Sequence, residues 1–229
     1  MIRPPSLFDQ ALEGRVVFDA AALLAQLPLL VLQVPRGKGP VMVLPGFMTD
    51  DTSTWLLRRF LERIGYSVEG WNLGLNRGPL LKLLDQLEPV LADHAALHGR
   101  PVQLIGWSRG GMLARELARR DARSVRSVIT MGTPIQGGPG ASSIGAYAMR
   151  ASGLSVQEAS DLQAQRESVP IKVPVHSIYS KSDGVVAWQA SIDPYNPHTE
   201  HHAVHSTHVG MGSHAGVFRL LADLLARYS

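Results

Sequence analysis

The 229-residue chain contains no cysteine. That absence excludes a disulfide scaffold, a thiolate metal site and a cysteine nucleophile together, and it leaves the redox compartment open. Aromatic residues are scarce, at 6%, and none is interleaved with basic residues. A base-stacking surface is therefore lacking, and nucleic acid is not expected as a partner. Charge is sparse too: charged residues make up 18%, with a formal net charge of only +3. The densest basic stretch, Arg115 to Arg126, also carries Glu116 and Asp121 and reads as a solvated surface. Clean apolar runs are short. The longest, Asp19 to Gln33, is interrupted by Gln26 and Pro28, which leaves it below the roughly 20 residues that a membrane span needs. It also starts after the polar Asp9, Glu13 and Arg15, too deep for a signal peptide. No transmembrane or targeting segment is expected, and a soluble, cytoplasmic protein is the default.

What is present is a globular composition, 45% hydrophobic, in a chain long enough for one domain over residues 1–229. After an N-terminal helical or extended segment, 1–37, short apolar runs alternate with helical spacing. Val41–Leu44, Tyr66–Trp71, Val102–Trp107, Val125–Met131 and Val173–Tyr179 read as strands, with a weaker one at Ala203–His205. Between them Trp55–Ile64, Leu80–His98 and Gly110–Arg120 read as helices, and Gly216–Arg227 closes the chain. Pro89 is expected to kink the second of these. The alternation predicts an α/β fold, with a mostly parallel central sheet covered by helices on both faces. One region breaks the rhythm. Residues 134–170 contain no convincing strand, and short helices are expected around Tyr147, Met149, Leu154 and Leu162. An insertion of that length reads as a small helical lid.

The strongest chemical signal is Ile105-Gly-Trp-Ser-Arg-Gly-Gly111. It holds Gly-x-Ser-x-Gly, as Gly106, Ser108 and Gly110, between a predicted strand and a predicted helix. A serine on so sharp a turn stands with its hydroxyl exposed above the sheet, and its flanking positions must be small because backbone passes close by. The following helix turns its amino terminus toward the site and favours developing negative charge. A serine hydroxyl needs a base, and the base needs an orienting acid. On sheets that carry such an elbow the chain order is Ser, acid, His. Of the acids after Ser108, Asp183 alone lies just beyond a strong strand, where the chain leaves the ligand-binding edge of the sheet. The base is less sharply specified. His208 and His214 both lie in the loop before the last helix, and His214 is also placed to cap that helix.

Several stretches together resemble bacterial α/β-hydrolases of the lipase/esterase type. They are Pro40-Val-Met-Val-Leu-Pro-Gly-Phe47, Gly70-Trp-Asn-Leu-Gly-Leu-Asn-Arg-Gly-Pro79, the Ser108 elbow, Met131-Gly-Thr-Pro134, Ser182-Asp-Gly-Val-Val186 and Thr207-His-Val-Gly-Met211. The resemblance spans roughly residues 38 to 228. It implies the α/β-hydrolase fold, His208 as the base, and an oxyanion hole from the backbone N–H groups of Phe47 and Arg109. Two positions depart from the pattern. Pro45-Gly46 stands where many lipases have His-Gly, and His214-Ala215 stands where Asn-Pro is usual.

The expected activity is hydrolysis of a carboxylic ester through a Ser108–His208–Asp183 triad, with no cofactor. The Ala, Leu, Met and Ile content of the lid points to an apolar acyl group on a small-molecule ester or lipid. An acyltransferase working through the same acyl-enzyme is an alternative. A non-catalytic ligand-binding protein on the same fold is another. His198, His201, His202, His205 and His208 invite a zinc or nickel reading, but they do not alternate cleanly on one strand face and lack a convincing carboxylate. No metal is expected, and oligomeric state is open.

Overall fold

A computed structural model describes residues 2–145, 147 and 155–229. Six strands form one sheet: β1 (Pro40–Leu44), β2 (Ser67–Glu69), β3 (Val102–Trp107), β4 (Val125–Met131), β5 (Val175–Tyr179) and β6 (Glu200–Ala203). Their spatial order is β2-β1-β3-β4-β5-β6, and every neighbouring pair is parallel. Seven helices accompany them among the described residues. They are α1 (Leu7–Leu12), α2 (Val16–Gln33), α3 (Trp55–Arg63), α4 (Leu80–His98), α5 (Arg109–Arg120), α6 (Val156–Glu167) and α7 (Ala215–Ala226).

A parallel sheet covered on both faces needs apolar side chains on both, and the period of two distributes them. Val41, Val43, Ile105, Trp107, Ile129 and Met131 join the core under α2, α3 and α7. Met42, Leu44, Leu104 and Val128 join the core under α4 and α5. The order β2-β1-β3 reverses the direction of winding between β1 and β3. Loops that leave the carboxyl ends of those two strands therefore diverge and open a crevice. Phe47 follows β1, and Ser108 follows β3.

Two local expectations are corrected. The last strand is Glu200–Ala203, three residues earlier than Ala203–His205. It pairs His176 with Glu200 and Tyr179 with Ala203. As an edge strand with polar side chains it carries no apolar signature. Helix α4 spans Leu80–His98 with Pro89 inside it, the extent expected from the sequence. The second correction is larger. From Leu7 to Gln33 the chain is helical without a break, and an 18-residue window has mean hydropathy 1.8. By length and composition alone, that helix is sufficient to cross a membrane. Gln26 and Pro28 do not interrupt it because both face outward, where water can satisfy the carbonyl left unpaired by the missing proline amide. Its inner side, Leu23, Leu27 and Leu30, is buried in the main core, while Phe18 and Leu32 are exposed.

Within the 134–170 insertion the structure places a 3₁₀ turn at Gly138–Ala141 and helix α6. The expected helical positions Met149 and Leu154 lie outside the described residues.

Candidate active site

Ser108 joins β3 to α5 with φ 53° and ψ −119°. A non-glycine residue there is strained, and such strain is kept only where the surroundings impose it. They do. Its amide donates to the Met131 carbonyl at 2.7 Å, and its carbonyl accepts from Thr133 Oγ1 at 2.9 Å and from the Gly111 amide at 3.0 Å. Neighbouring glycines make room. A Cβ on Gly110 would stand 2.2 Å from the Leu44 carbonyl oxygen, and one on Gly106 would stand 2.4 Å from Gly111 Cα. The elbow thus needs small residues on both sides of the serine.

Asp183 and His208 meet next to that turn. His208 Nδ1 lies 2.7 Å from Asp183 Oδ2, with both side chains buried. The other carboxylate oxygen, Oδ1, accepts from the amides of Val185 at 2.9 Å and Val186 at 2.7 Å, which fixes the plane of the acid. Gly132, directly after β4, lies against the pair. A Cβ there would come 2.8 Å from His208 Nδ1 and 2.9 Å from Asp183 Oδ2, and its φ is +55°. Because Trp107 registers with Met131 across β3 and β4, Ser108 and Gly132 leave adjacent strand ends side by side. Trp107 Nε1 donates to the His208 carbonyl at 3.2 Å, and the two rings lie 6.3 Å apart. No hydrogen bond joins Ser108 Oγ to His208 among the described residues; such contacts commonly tighten only when substrate binds.

Burial opposes a charge on His208 and is the largest influence on it. The charge and hydrogen bond of Asp183, aided by Glu13, outweigh burial and raise its pKa above the ordinary 6.5. A base must be neutral to accept a proton. Activity that depends on His208 is therefore expected to fall as pH drops through this raised value. A pH profile of kcat/KM should show an acid limb with its midpoint above 6.5, and a midpoint below 6.5 contradicts the arrangement.

The loop after β1 brings a second set of groups. Gly46 touches Ser108: a Cβ there would lie 3.6 Å from Ser108 Cβ. Among the described residues no protein acceptor engages the amides of Phe47 or Arg109. The Arg109 amide is unpaired because it opens α5. Asn76, fully buried, holds the loop. Its side-chain amide donates to the Pro45 carbonyl at 2.8 Å, its carbonyl accepts from the Met48 amide at 2.9 Å, and its own amide donates to the Thr49 carbonyl at 2.8 Å. That clamp accounts for how Pro45-Gly46 is held without the His-Gly pair. The Arg109 guanidinium lies over the Phe47 ring at 5.3 Å.

The remaining histidines take other places. His214 Nδ1 accepts from the Gly216 amide at 3.2 Å and caps α7. His201 Nε2 accepts from the Asp193 amide at 2.9 Å, and His198 and His205 are exposed. Among the described residues one potential metal-binding group forms, from His176, Glu200 and His202. It lies toward the start of β5, away from the loops of Ser108, Asp183 and His208, and draws on a histidine outside the cluster considered from sequence. Its members also bond one another and their neighbours: His176 Nδ1 to His202 Nε2 at 3.3 Å, His176 Nε2 to the Tyr228 hydroxyl at 3.0 Å, and Arg227 to Glu200 at 2.8 Å. Burial lowers His176 to a pKa of about 4, so it is neutral at physiological pH.

Two residues at this edge carry no sequence signal. Asn76 sits among other turn-forming residues, and Glu13 lies far upstream in the N-terminal helix. Glu13 nevertheless accepts hydrogen bonds from the amides of Gly184, His208 and Val209.

No protein-family model and no curated relative matches the chain. Solved structures do. A metagenome-derived lipolytic enzyme superposes with a TM-score of 0.62 at 15% identity, covering 83% of this chain and 92% of that one. The lipase BlEst2 of Bacillus licheniformis gives 0.60 at 16%, covering 82% and 91%. A lipase-esterase related protein of Clostridium acetobutylicum gives 0.58 at 14%, covering 84% and 94%. At such identities the likeness establishes architecture, and with the parallel six-stranded sheet it means that this chain has the α/β-hydrolase fold.

Proposed function

We propose that the chain is a serine carboxylic-ester hydrolase. The observation that carries this reading is a convergence at one sheet edge. A serine at positive φ, a buried His–Asp pair and two unengaged amides all lie there.

In the proposed reaction Ser108 Oγ attacks the ester carbonyl carbon while His208 Nε2 takes the hydroxyl proton. Asp183 keeps Nδ1 protonated and stabilises the imidazolium that results. The oxyanion accepts from the Phe47 and Arg109 amides; losing one such donor typically costs about 10²–10³ in rate. Collapse of the tetrahedral intermediate breaks the bond to the leaving oxygen, to which His208 Nε2 returns its proton. Water then attacks the acyl-serine, with His208 again as base, and releases the acid and free Ser108. Every group in the sequence of steps is a protein residue, substrate or water.

The acyl group is proposed to be apolar. Met48 and Ile144 expose apolar surface, and the Phe47 and Tyr147 rings lie 6.2 Å apart, which lines the oxyanion loop and the start of the insertion with hydrocarbon. The insertion over 134–170 is proposed to act as the lid. Hydrolysis of p-nitrophenyl esters from acetyl to palmitoyl tests the acyl preference. The expected profile rises in kcat/KM from acetyl toward longer chains, and a flat or falling profile contradicts the apolar site.

A further inference from the structure

We propose that Glu13 is a positioning residue of the catalytic site. Its carboxylate ties the loop that carries the acid to the loop that carries the base, and the N-terminal helix is docked so as to deliver it. The proposal rests on the Ser108–His208–Asp183 reading above.

Glu13 Oε1 accepts from the Gly184 amide at 2.7 Å and from the His208 amide at 2.9 Å, and Oε2 accepts from the Val209 amide at 2.8 Å. Gly184 is the residue after Asp183. His208 is the base itself, and Val209 opens the 3₁₀ turn that follows it, Val209–Ser213. One side chain, 171 residues before Gly184 and 195 before His208, thus bridges both loops at their functional residues. All three donors are backbone amides that have no partner inside a regular element. Bonds from such amides to an ionised carboxylate are charge-assisted and short, and a carboxylate suits the amino-terminal end of a helical turn.

The rest of the helix fits this role. Backbone of α1 lies so close to Gly184 that a Cβ there would be 2.4 Å from the Asp9 carbonyl oxygen. Six residues beyond Glu13, Asp19 Oδ2 lies 2.9 Å from where a Cβ on Gly210 would stand. Leu23, Leu27 and Leu30 share the core with Met211 of the histidine loop and Phe218 of α7. A segment apolar enough to cross a bilayer is therefore bound along its inner side to the loop of the catalytic base. If it were withdrawn from the body, Glu13 would leave the site.

Glu13 also acts on His208 through charge. The acidic groups that face the histidine are Asp183 from the loop after β5 and Glu13 from the helix, with Asp19 beside Gly210. A purely spatial tie and a charged tie predict different results. Glu13→Gln keeps a carbonyl oxygen for Gly184 and His208 but removes the charge. Glu13→Ala removes both.

The test measures ester kcat/KM, its pH profile, and the rate at which a fluorophosphonate labels Ser108, in wild type and both variants, with circular dichroism as the folding check. A misplacement of this kind is expected to lower kcat/KM and labelling rate about 10–100-fold in Glu13→Ala, mainly through kcat, with the fold retained. Glu13→Gln is expected to retain more activity and to shift the acid limb of kcat/KM to lower pH. A labelled wild type with an equally reactive Glu13→Ala overturns the proposal and leaves the triad reading intact. If Glu13→Ala does not fold, a Glu13→Gln variant with wild-type kcat/KM, labelling rate and acid limb overturns it. A wild type that takes no label contradicts the triad reading, and the proposal falls with it.

Discussion

Ser108→Ala is expected to lower ester turnover by about 10⁴-fold or more, leaving only what binding and the oxyanion donors supply. The substitution changes one buried oxygen on a turn held by Met131, Thr133 and Gly111, so the thermal midpoint should barely move. A second substitution at the same position separates chemistry from strain. Ser108 has φ 53°, where alanine is as strained as serine and glycine is not. A residue held in such a conformation typically costs about 1–3 kcal/mol. Ser108→Gly is therefore expected to be as inactive as Ser108→Ala yet more stable by roughly 1 kcal/mol, readable in urea melts as a higher midpoint with unchanged slope. A catalytic serine that destabilises its own fold would be seen directly in that pair. Equal stability of the alanine and glycine variants contradicts the strain, whatever their activities.

Arg115→Ala is expected to cost about 3–5 kcal/mol of stability, because it leaves Asp193 buried without its cation and takes from Glu167 one of its two. Arg115 has no exposed surface. Its Nε donates to Glu167 Oε1 at 3.2 Å, its Nη2 bonds Glu167 Oε2, and its Nη1 donates to Asp193 Oδ2 at 2.8 Å. Asp193 Oδ2 also accepts from Asn196 and Thr199, each at 2.9 Å, and Glu167 Oε2 accepts from Arg119 as well. The network braces α5, the helix that opens at Ser108, against the end of α6 and the loop before β6. For a chain of this length the loss corresponds to a fall in thermal midpoint of roughly 10 °C or more. The exposed pair Arg59–Glu62, at 3.0 Å, is the contrast. Its removal is expected to change stability by less than about 1 kcal/mol. Thermal melts of the two arginine variants side by side check the ranking. Similar shifts for both would mean that burial does not set the cost.

The elements legible in the sequence are those whose residues carry their own pattern. Val41–Leu44 and Val102–Trp107 are continuous apolar runs ended by turn residues, and parallel strands buried on both faces look like that. The elbow is legible because its requirement is local: small residues two before and two after one serine. Partnerships between distant residues are not. The Arg115–Glu167–Asp193 network and the three bonds that Asn76 makes to the loop after β1 leave no mark at the sequence positions involved. Glu13 is the extreme case, since its three donors lie 171 to 196 residues away. Spacing left His208 and His214 both open; the structure gives His214 a capping bond to Gly216 and places His208 on Asp183. The N-terminal helix misled for a different reason. Gln26 and Pro28 signal interruption only if they must be buried, and both face outward.

In the proposed reading Ser108 is a nucleophile activated by His208 and Asp183. The most direct measurement is mass spectrometry of the protein after reaction with a fluorophosphonate. The account predicts one adduct per chain on the peptide that contains Ser108, lost in Ser108→Ala and formed far more slowly in His208→Ala. No adduct, or an adduct on another serine with Ser108 unmodified, would contradict it.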